Sequence, residues 1–290
     1  MSEQNLRHGI LYMVTATLVF AVQDVLSRHL AESYNVLMVV MVRFWFFAAF
    51  VVALAARNAG GLRAAAATKR PALQVLRGFL LPAEICVMVL SFTLVGLVAT
   101  HAVFTTYPLL VAALSGPVLG EKVGWRRWTA IAIGFVGIIV ILQPGAGVFS
   151  PLALIPLLAA FMFALYGLLT RAVARDDGPA TSFFWSGTVG AVAMTAVGIW
   201  FWEPMSPSDW GLMACLCVTG ALGHWLLIQA YDVAEASAVQ PFAFLQLLWV
   251  AVMGITVFGE RIEPNVAVGA GIVVCAGLFT LWRERVRSKG

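Results

Sequence analysis

Charged residues punctuate this chain at wide intervals, and between them lie stretches that are apolar on every face. Ile85–Gly120 runs 36 residues without an Asp, Glu, Lys or Arg, and Trp128–Thr170 runs 43. Gly178–Trp202, Trp210–Tyr231, Ala236–Gly259 and Pro264–Trp282 follow with 25, 22, 24 and 19 residues. A bilayer-spanning helix needs about 20 apolar residues, so each shorter run holds one span. The two long runs each take in two, because turn-forming residues break them. The breaks are Gly96 in the first, and Gln143-Pro144-Gly145-Ala146-Gly147 through Ser150-Pro151 in the second. Gly9–Leu30, Val36–Ala56 and Pro71–Thr93, the last overlapping the first long run, complete ten predicted transmembrane helices. Ten spans use about 200 residues, which leaves loops and tails and no separate soluble domain. Strands of a membrane barrel would alternate apolar and polar over about ten residues, and these runs do not. The first span is too long for a cleavable leader and carries Gln23-Asp24, so it is expected to stay.

Composition sharpens the class. Apolar residues make up 61% of the chain and charged ones 11%, with a mean hydropathy of +0.93. Soluble domains run at roughly 45–50% and about 25%, so a soluble enzyme and a nucleic-acid binder are excluded. The expected partners are the lipid bilayer and a small molecule, with the chain a monomer. Cys86, Cys215, Cys217 and Cys275 all fall inside spans, where none forms a loop disulfide. No closed set of metal ligands is spaced along the chain, and GxGxxG, GxxxxGK and GxSxG are absent. Neither metal, cofactor nor enzymatic chemistry is expected.

Charge orients the spans. With both termini in the cytoplasm, 14 of the 18 Lys and Arg fall on inner segments and only Arg28 and Arg261 on outer ones. That is the positive-inside pattern. Arg43 and Arg77 lie within spans.

The halves repeat. LLVAALSGPVLGEK (109–122) aligns without gaps on LWVAVMGITVFGER (248–261), placing Gly120-Glu121 on Gly259-Glu260. ATLVFAVQDVLSR (16–28) aligns on AAFMFALYGLLTR (159–171), placing Phe20 on Phe163 and Arg28 on Arg171. Because five is odd, two five-helix halves (1–143 and 150–287) enter the membrane in opposite senses. The expected fold is an all-α integral membrane protein of two inverted five-helix repeats around a central cavity, as in many secondary transporters.

At AEASAVQPFAFLQLLWVAVMGITVFGE (234–260) and its first-half counterpart, the chain resembles the EamA-type members of the drug/metabolite transporter superfamily. The resemblance covers about residues 9–282. Within that superfamily its texture is most similar to YddG-type bacterial exporters of aromatic and other neutral amino acids. The resemblance implies a bacterial inner-membrane protein with a cavity lined mainly by spans one, three, four, six, eight and nine. It also implies export of small neutral metabolites, most specifically amino acids, by alternating access. Export of lipophilic cations is the alternative, and a membrane-embedded enzyme the more remote one.

Ionisable residues inside a membrane are costly and often functional. Rise arithmetic puts Asp24, Arg43 and Glu84 about 20–22 Å from the cytoplasmic end, so one layer can hold them as a charge network with Arg77 deeper. Arg43 is expected to pair with Glu84. Candidate substrate-binding residues are His101, Tyr107, Tyr166, Trp185, His224, Gln246 and Trp249. Their rings, joined by Phe163, Trp45 and Trp225, offer an aromatic wall, while His101 and Gln246 offer hydrogen bonds. Pro82, Pro108 and Pro241 are the expected helix breaks and hinges. Ala130–Gly134 and Ala267–Gly271 are spaced to pack helices closely within the chain.

Overall fold

A computed structural model describes residues 3–57, 60–120, 124–142, 152, 154–233 and 240–287. Among them every regular element is helical. The order is α1 (Glu3–Ser33), α2 (Val36–Arg57), α3 (Gly61–Ala66), α4 (Pro71–Val95), α5 (Leu97–Phe104), α6 (Tyr107–Leu119) and α7 (Trp125–Leu142). There follow α8 (Leu154–Val173), α9 (Pro179–Gly198), α10 (Pro207–Val233), α11 (Leu245–Phe258) and α12 (Pro264–Arg287). Short 3₁₀ turns span Ile199–Phe201 and Gln240–Phe244.

The boundaries follow from backbone chemistry. Pro71, Pro179, Pro207 and Pro264 open their helices, where a missing N–H leaves no bond unmade. Gly120 and Gly259 end α6 and α11 with φ of +73° and +65°, a left-handed cap that glycine adopts without steric cost. Five described helices are long and apolar enough to cross a bilayer: Arg7–Ser33, Val36–Arg57, Pro71–Val95, Pro179–Phe201 and Pro207–Leu227. Leu97–Val111 and Ala113–Leu119, bent 45° to one another, add a sixth if taken as one broken span. The other sequence spans fall on shorter apolar helices, Trp128–Ile141, Leu154–Thr170, Phe242–Phe258 and Pro264–Phe279. The loop at 143–151 that separates two of them lies outside the described residues. The molecule is an all-helical, multi-pass membrane protein.

Packing pairs α1 with α10, α4 with α8, α2 with α9 and α7 with α12. The largest core cluster is rich in methionine (Met38, Met41, Met88, Met194, Met213), whose flexible thioethers fill irregular gaps. Large apolar side chains such as Trp200 and Val192 face outward, 82% and 70% exposed, which water would penalise and lipid does not.

In lipid, helices associate through close backbone approach more than through hydrophobicity. The α7–α12 crossing shows this at Gly137 and Gly269. A Cβ on Gly137 would stand 2.8 Å from the Gly269 carbonyl oxygen, and one on Gly269 would stand 2.6 Å from that of Gly137. Of the small residues expected from sequence to pack closely, Gly134 does so, against Leu109 of α6 and Ala276 of α12, whereas Gly271 has open space beside it. Pro82, expected to break its span, sits inside a continuous α4. It lacks the N–H that would bond the Gly78 carbonyl, but the rest of the ladder carries the helix through.

One end of the bundle is lashed through Asp177, between α8 and α9. Its carboxylate accepts hydrogen bonds from the Thr68 hydroxyl, from the Lys69 N–H (2.9 Å) and from Gln74 Nε2 (2.8 Å). Burial by itself raises the Asp177 pKa; the three hydrogen bonds, with Lys69 nearby, outweigh it and hold the carboxyl below the usual range. Arg70 Nε donates to Asp176 at 2.7 Å beside it.

Candidate functional site

Between its ends the bundle encloses a cavity of about 550 Å³. Its walls come from both halves of the chain: Phe20 and Asp24 of α1, Arg43 of α2, Glu84 and Phe92 of α4 and His101 of α5. Tyr107 and Pro108 of α6, Phe163 and Tyr166 of α8, His224 of α10 and Gln246 of α11 complete them.

At the opposite end from Asp177, Glu260 ties helix ends together. The Glu260 carboxylate accepts the N–H of Leu97 (2.7 Å) and of Val98 (2.9 Å), the first amides of α5, and pairs with the Arg28 guanidinium. Arg28 also reaches Glu32 at 3.0 Å, and its guanidinium carbon lies 3.9 Å from the centre of the Phe258 ring. Gly96 makes the approach possible. It sits at φ +96°, and a Cβ there would stand 2.8 Å from Glu260 Oε1. The end of α1, the start of α5 and the end of α11 therefore meet at one carboxylate.

Beneath that tie lies a polar cluster. Asp24 Oδ2 is 3.1 Å from His101 Nε2 and accepts Gln246 Nε2 at 3.0 Å. His101 Nδ1 faces the Leu97 carbonyl at 3.2 Å, and the ring stacks on Phe92 with centroids 5.4 Å apart. Thr105 and Thr106 turn their hydroxyls back onto the carbonyls of His101 and Val103, where α5 gives way to α6 just before Pro108.

One wall is aromatic. Phe104, Tyr107, Phe163 and Tyr166 form a ladder with centroid spacings of 5.0–6.3 Å. His224 makes ring contacts with Phe20 (5.2 Å) and Phe47 (6.3 Å).

Of the residues expected from sequence, His101, Tyr107, Tyr166, His224, Gln246, Asp24, Arg43, Glu84 and Pro108 line this cavity. Trp249 stands behind the wall and donates Nε1–H to the lining hydroxyl of Thr17 at 3.3 Å. Trp185 lies elsewhere, its Nε1–H donated to the Ala66 carbonyl at 3.2 Å. Trp45 bonds Thr195 and stacks on Trp202, and Trp225 is exposed. The aromatic wall is built of phenylalanine and tyrosine, without tryptophan. Pro241 falls in the 3₁₀ turn that precedes α11.

The four intramembrane charges make no hydrogen bond or ion pair with one another among the described residues, although Asp24 and Glu84 stand close enough to Arg43 to act on it through space. Arg43 Nη2 donates to Gln23 Oε1 at 3.1 Å, and no Arg43 nitrogen comes within 4.0 Å of a Glu84 or Asp24 oxygen. Arg77 is turned away toward Gln74, Thr170 (2.9 Å) and Tyr166. Asp24, Arg43 and Glu84 do share the cavity, but the rotation of each helix set other partners. Gln23, Phe20, Phe92 and Phe104 are lining residues that the sequence search passed over. The match of Phe20 to Phe163 across the two halves was a signal for the first. Among the described residues no group of three His, Cys, Asp or Glu could hold a metal ion.

The chain is similar over its whole length to named transporters. It is 27% identical to the S-adenosylmethionine uptake transporter of Rickettsia prowazekii (strain Madrid E), over 96% of this chain and 94% of that protein. It is 30% identical to the riboflavin transporter of Vibrio cholerae serotype O1, again over 96% and 94%. A riboflavin transporter of Rhizobium johnstonii is 28% identical over 97% and 93%. A solved crystal structure with 16% identity superposes with a TM-score of 0.62 over 94% of this chain and 96% of that one, a likeness of fold. The EamA-like transporter family matches residues 7–143 and again 150–282. With a helical bundle around a cavity and a family match over nearly its whole length, the chain belongs to the EamA-like transporter family: it is a transporter of small molecules, and not an enzyme.

Proposed function

We propose that this protein is a secondary transporter that moves a metabolite with a planar ring system across a bacterial cytoplasmic membrane by alternating access. The observation that carries this reading is the cavity. Its volume of about 550 Å³ lies in the range of small-molecule sites, roughly 300–1,000 Å³. It combines an aromatic wall with a few convergent polar groups, and Glu260 ties α1, α5 and α11 together at one end of the bundle. The relatives' names support the substrate class, since S-adenosylmethionine and riboflavin both contain a fused, planar nitrogen heterocycle. Export of an aromatic amino acid is the second reading, favoured by the same wall and by a basic and an acidic side chain, Arg43 and Glu84, in one cavity.

We infer further that the helices form two inverted five-helix halves, with both termini in the cytoplasm and the Glu260 tie on the outer face. The pairing of α1 with α10 has its counterpart in α8 with α4, and that of α11 with α1 in α6 with α8. The family matches twice, and Gly120 and Gly259 cap equivalent helices. The charge bias sets the direction.

Proteoliposomes loaded or bathed with labelled S-adenosylmethionine, riboflavin or phenylalanine, with and without a proton gradient, test the transport reading. Protein-dependent flux of at least one compound is expected, and flux of none removes it. For orientation, single cysteines at Ser208 and Glu263 should react with an impermeant maleimide from outside intact cells, and one at Arg63 should not. The background replaces Cys86, Cys215, Cys217 and Cys275. The reverse pattern inverts the topology.

A further inference from the structure

One acidic and one basic side chain in the cavity are short of hydrogen-bond partners, and they do not touch each other. Glu84 on α4 is 4% exposed and lines the cavity, yet among the described residues no hydrogen bond or ion pair reaches its carboxyl. Arg43 on α2 is 9% exposed, and of its several N–H donors only Nη2 is used among these residues, on Gln23. Asp24 binds His101 and Gln246 through Oδ2 and makes no hydrogen bond or ion pair with Glu84 or Arg43 among the described residues. A buried polar group without a partner costs about 1–3 kcal/mol, and more when charged. Two such groups opening into one cavity describe a place that a guest completes.

The arrangement is built, and not a gap in packing. A Cβ at Gly220 would stand 3.3 Å from both Arg43 Nε and Gln23 Oε1, so the guanidinium and its amide partner rest against bare backbone on α10. That support leaves the remaining N–H donors of the fork for the cavity. Guanidinium forks bind carboxylates in a bidentate manner, and carboxylates accept from ammonium groups. His224, which makes no hydrogen bond among the described residues, lines the same region beside Arg43.

We propose that Arg43 and Glu84 are the two poles of a subsite for a zwitterionic head group, the guanidinium receiving its carboxylate and Glu84 its ammonium, while the substrate's ring lies along Phe104, Tyr107, Phe163 and Tyr166. This rests on the transport reading and narrows it. S-adenosylmethionine and the amino acids carry an ammonium–carboxylate head, and riboflavin does not. The class of substrate is therefore an aromatic or heteroaromatic amino acid or amino-acid conjugate.

The test is ligand-induced thermal stabilisation of the purified, detergent-solubilised chain. One probe series is phenylalanine, phenethylamine (no carboxylate) and 3-phenylpropionate (no ammonium). The other is S-adenosylmethionine and its decarboxylated form, with riboflavin as the headless comparison. In at least one series the zwitterion should bind about tenfold tighter than each single-charge analogue, the size of one charged hydrogen bond. Glu84→Gln should erase the advantage of the ammonium and leave 3-phenylpropionate little changed. Arg43→Lys should weaken binding of the carboxylate-bearing probes and leave phenethylamine and decarboxylated S-adenosylmethionine little changed. Glu84→Asp, which keeps the charge, should retain part of the preference. Ligand-free melting of each variant shows that it has folded. Single-charge analogues that bind as tightly as their parents in both series overturn the proposal, as does a Glu84→Gln variant that weakens every probe equally. Binding of riboflavin alone overturns the head-group subsite and leaves the transport reading standing. If no probe binds and none is carried in proteoliposomes, both fall.

Discussion

Glu260 and Glu84 are both carboxylates of an apolar bundle, and the molecule treats them in opposite ways. Glu260 is answered on every side, by two amides of α5 and by Arg28, which in turn rests on Phe258 and Glu32. Glu84 is more deeply buried, and among the described residues no hydrogen bond or ion pair reaches it; Arg43 acts on it only through space. Burial of a charge in a membrane protein is therefore not enough to mark function. A saturated carboxylate holds the structure together. An open one waits for something that arrives and leaves.

Glu260→Ala breaks the comparison at its strong side. It strips Arg28 of its partner and leaves the Leu97 and Val98 amides unpaired, and removing one member of a largely buried pair costs about 3–5 kcal/mol. The melting temperature of the purified protein should fall accordingly. An unchanged value would show that the tie is not structural.

Glu84→Gln tests the other side. It keeps the shape and removes a costly carboxylate, so stability should hold or rise by about 1 kcal/mol. Transport should nevertheless fall by about tenfold or more. If melting drops as far as in Glu260→Ala, the two carboxylates do not differ in kind.

Gly96→Ala perturbs the tie more gently, forcing an L-residue to φ +96° and a methyl against Glu260. A loss of about 1–2 kcal/mol is expected in the same melting assay.

The smallest effect belongs to Asp177, a saturated carboxylate at the far end. Its folded pKa is depressed, so its contribution is present above the unfolded value and lost as pH falls through the folded one. Asp177→Asn should cost about 1 kcal/mol at neutral pH, and its difference from the parent should shrink below about pH 4. A constant difference across that range would assign the effect to shape and not to charge.

Much of the fold was legible because membrane insertion writes itself in one dimension. Uncharged runs, Gly96 and the opening prolines locate helices, and rise per residue placed Asp24, Arg43 and Glu84 in one layer, where they do share a cavity. What one dimension lacks is rotation. Asp24 took His101, 77 residues away, and Arg43 took Gln23, choices that depend on how each helix turns toward its neighbours. The tryptophans were misplaced for a related reason. A span that is apolar all round has no polar face to show which side meets lipid, so a ring at Trp45 reads the same whether it faces the cavity or the bilayer. The texture that suggested amino-acid exporters has the same weakness, because substrate choice rests on a few lining side chains that overall likeness does not weigh.

The bare-backbone crossing of Gly137 and Gly269 has a consequence at a distance. Gly269 and Gly277 lie on one helix, eight residues and so about 12 Å apart, and Gly277 belongs to the cavity wall. Treat α12 as a beam and the glycine crossing as its fulcrum. A wedge one methyl thick at the fulcrum tilts the beam, and the wall at Gly277 moves with it. The bore of the cavity is thus gauged from outside the cavity, and a change of one hydrogen to one methyl in a buried helix seam can reset what size of cargo fits.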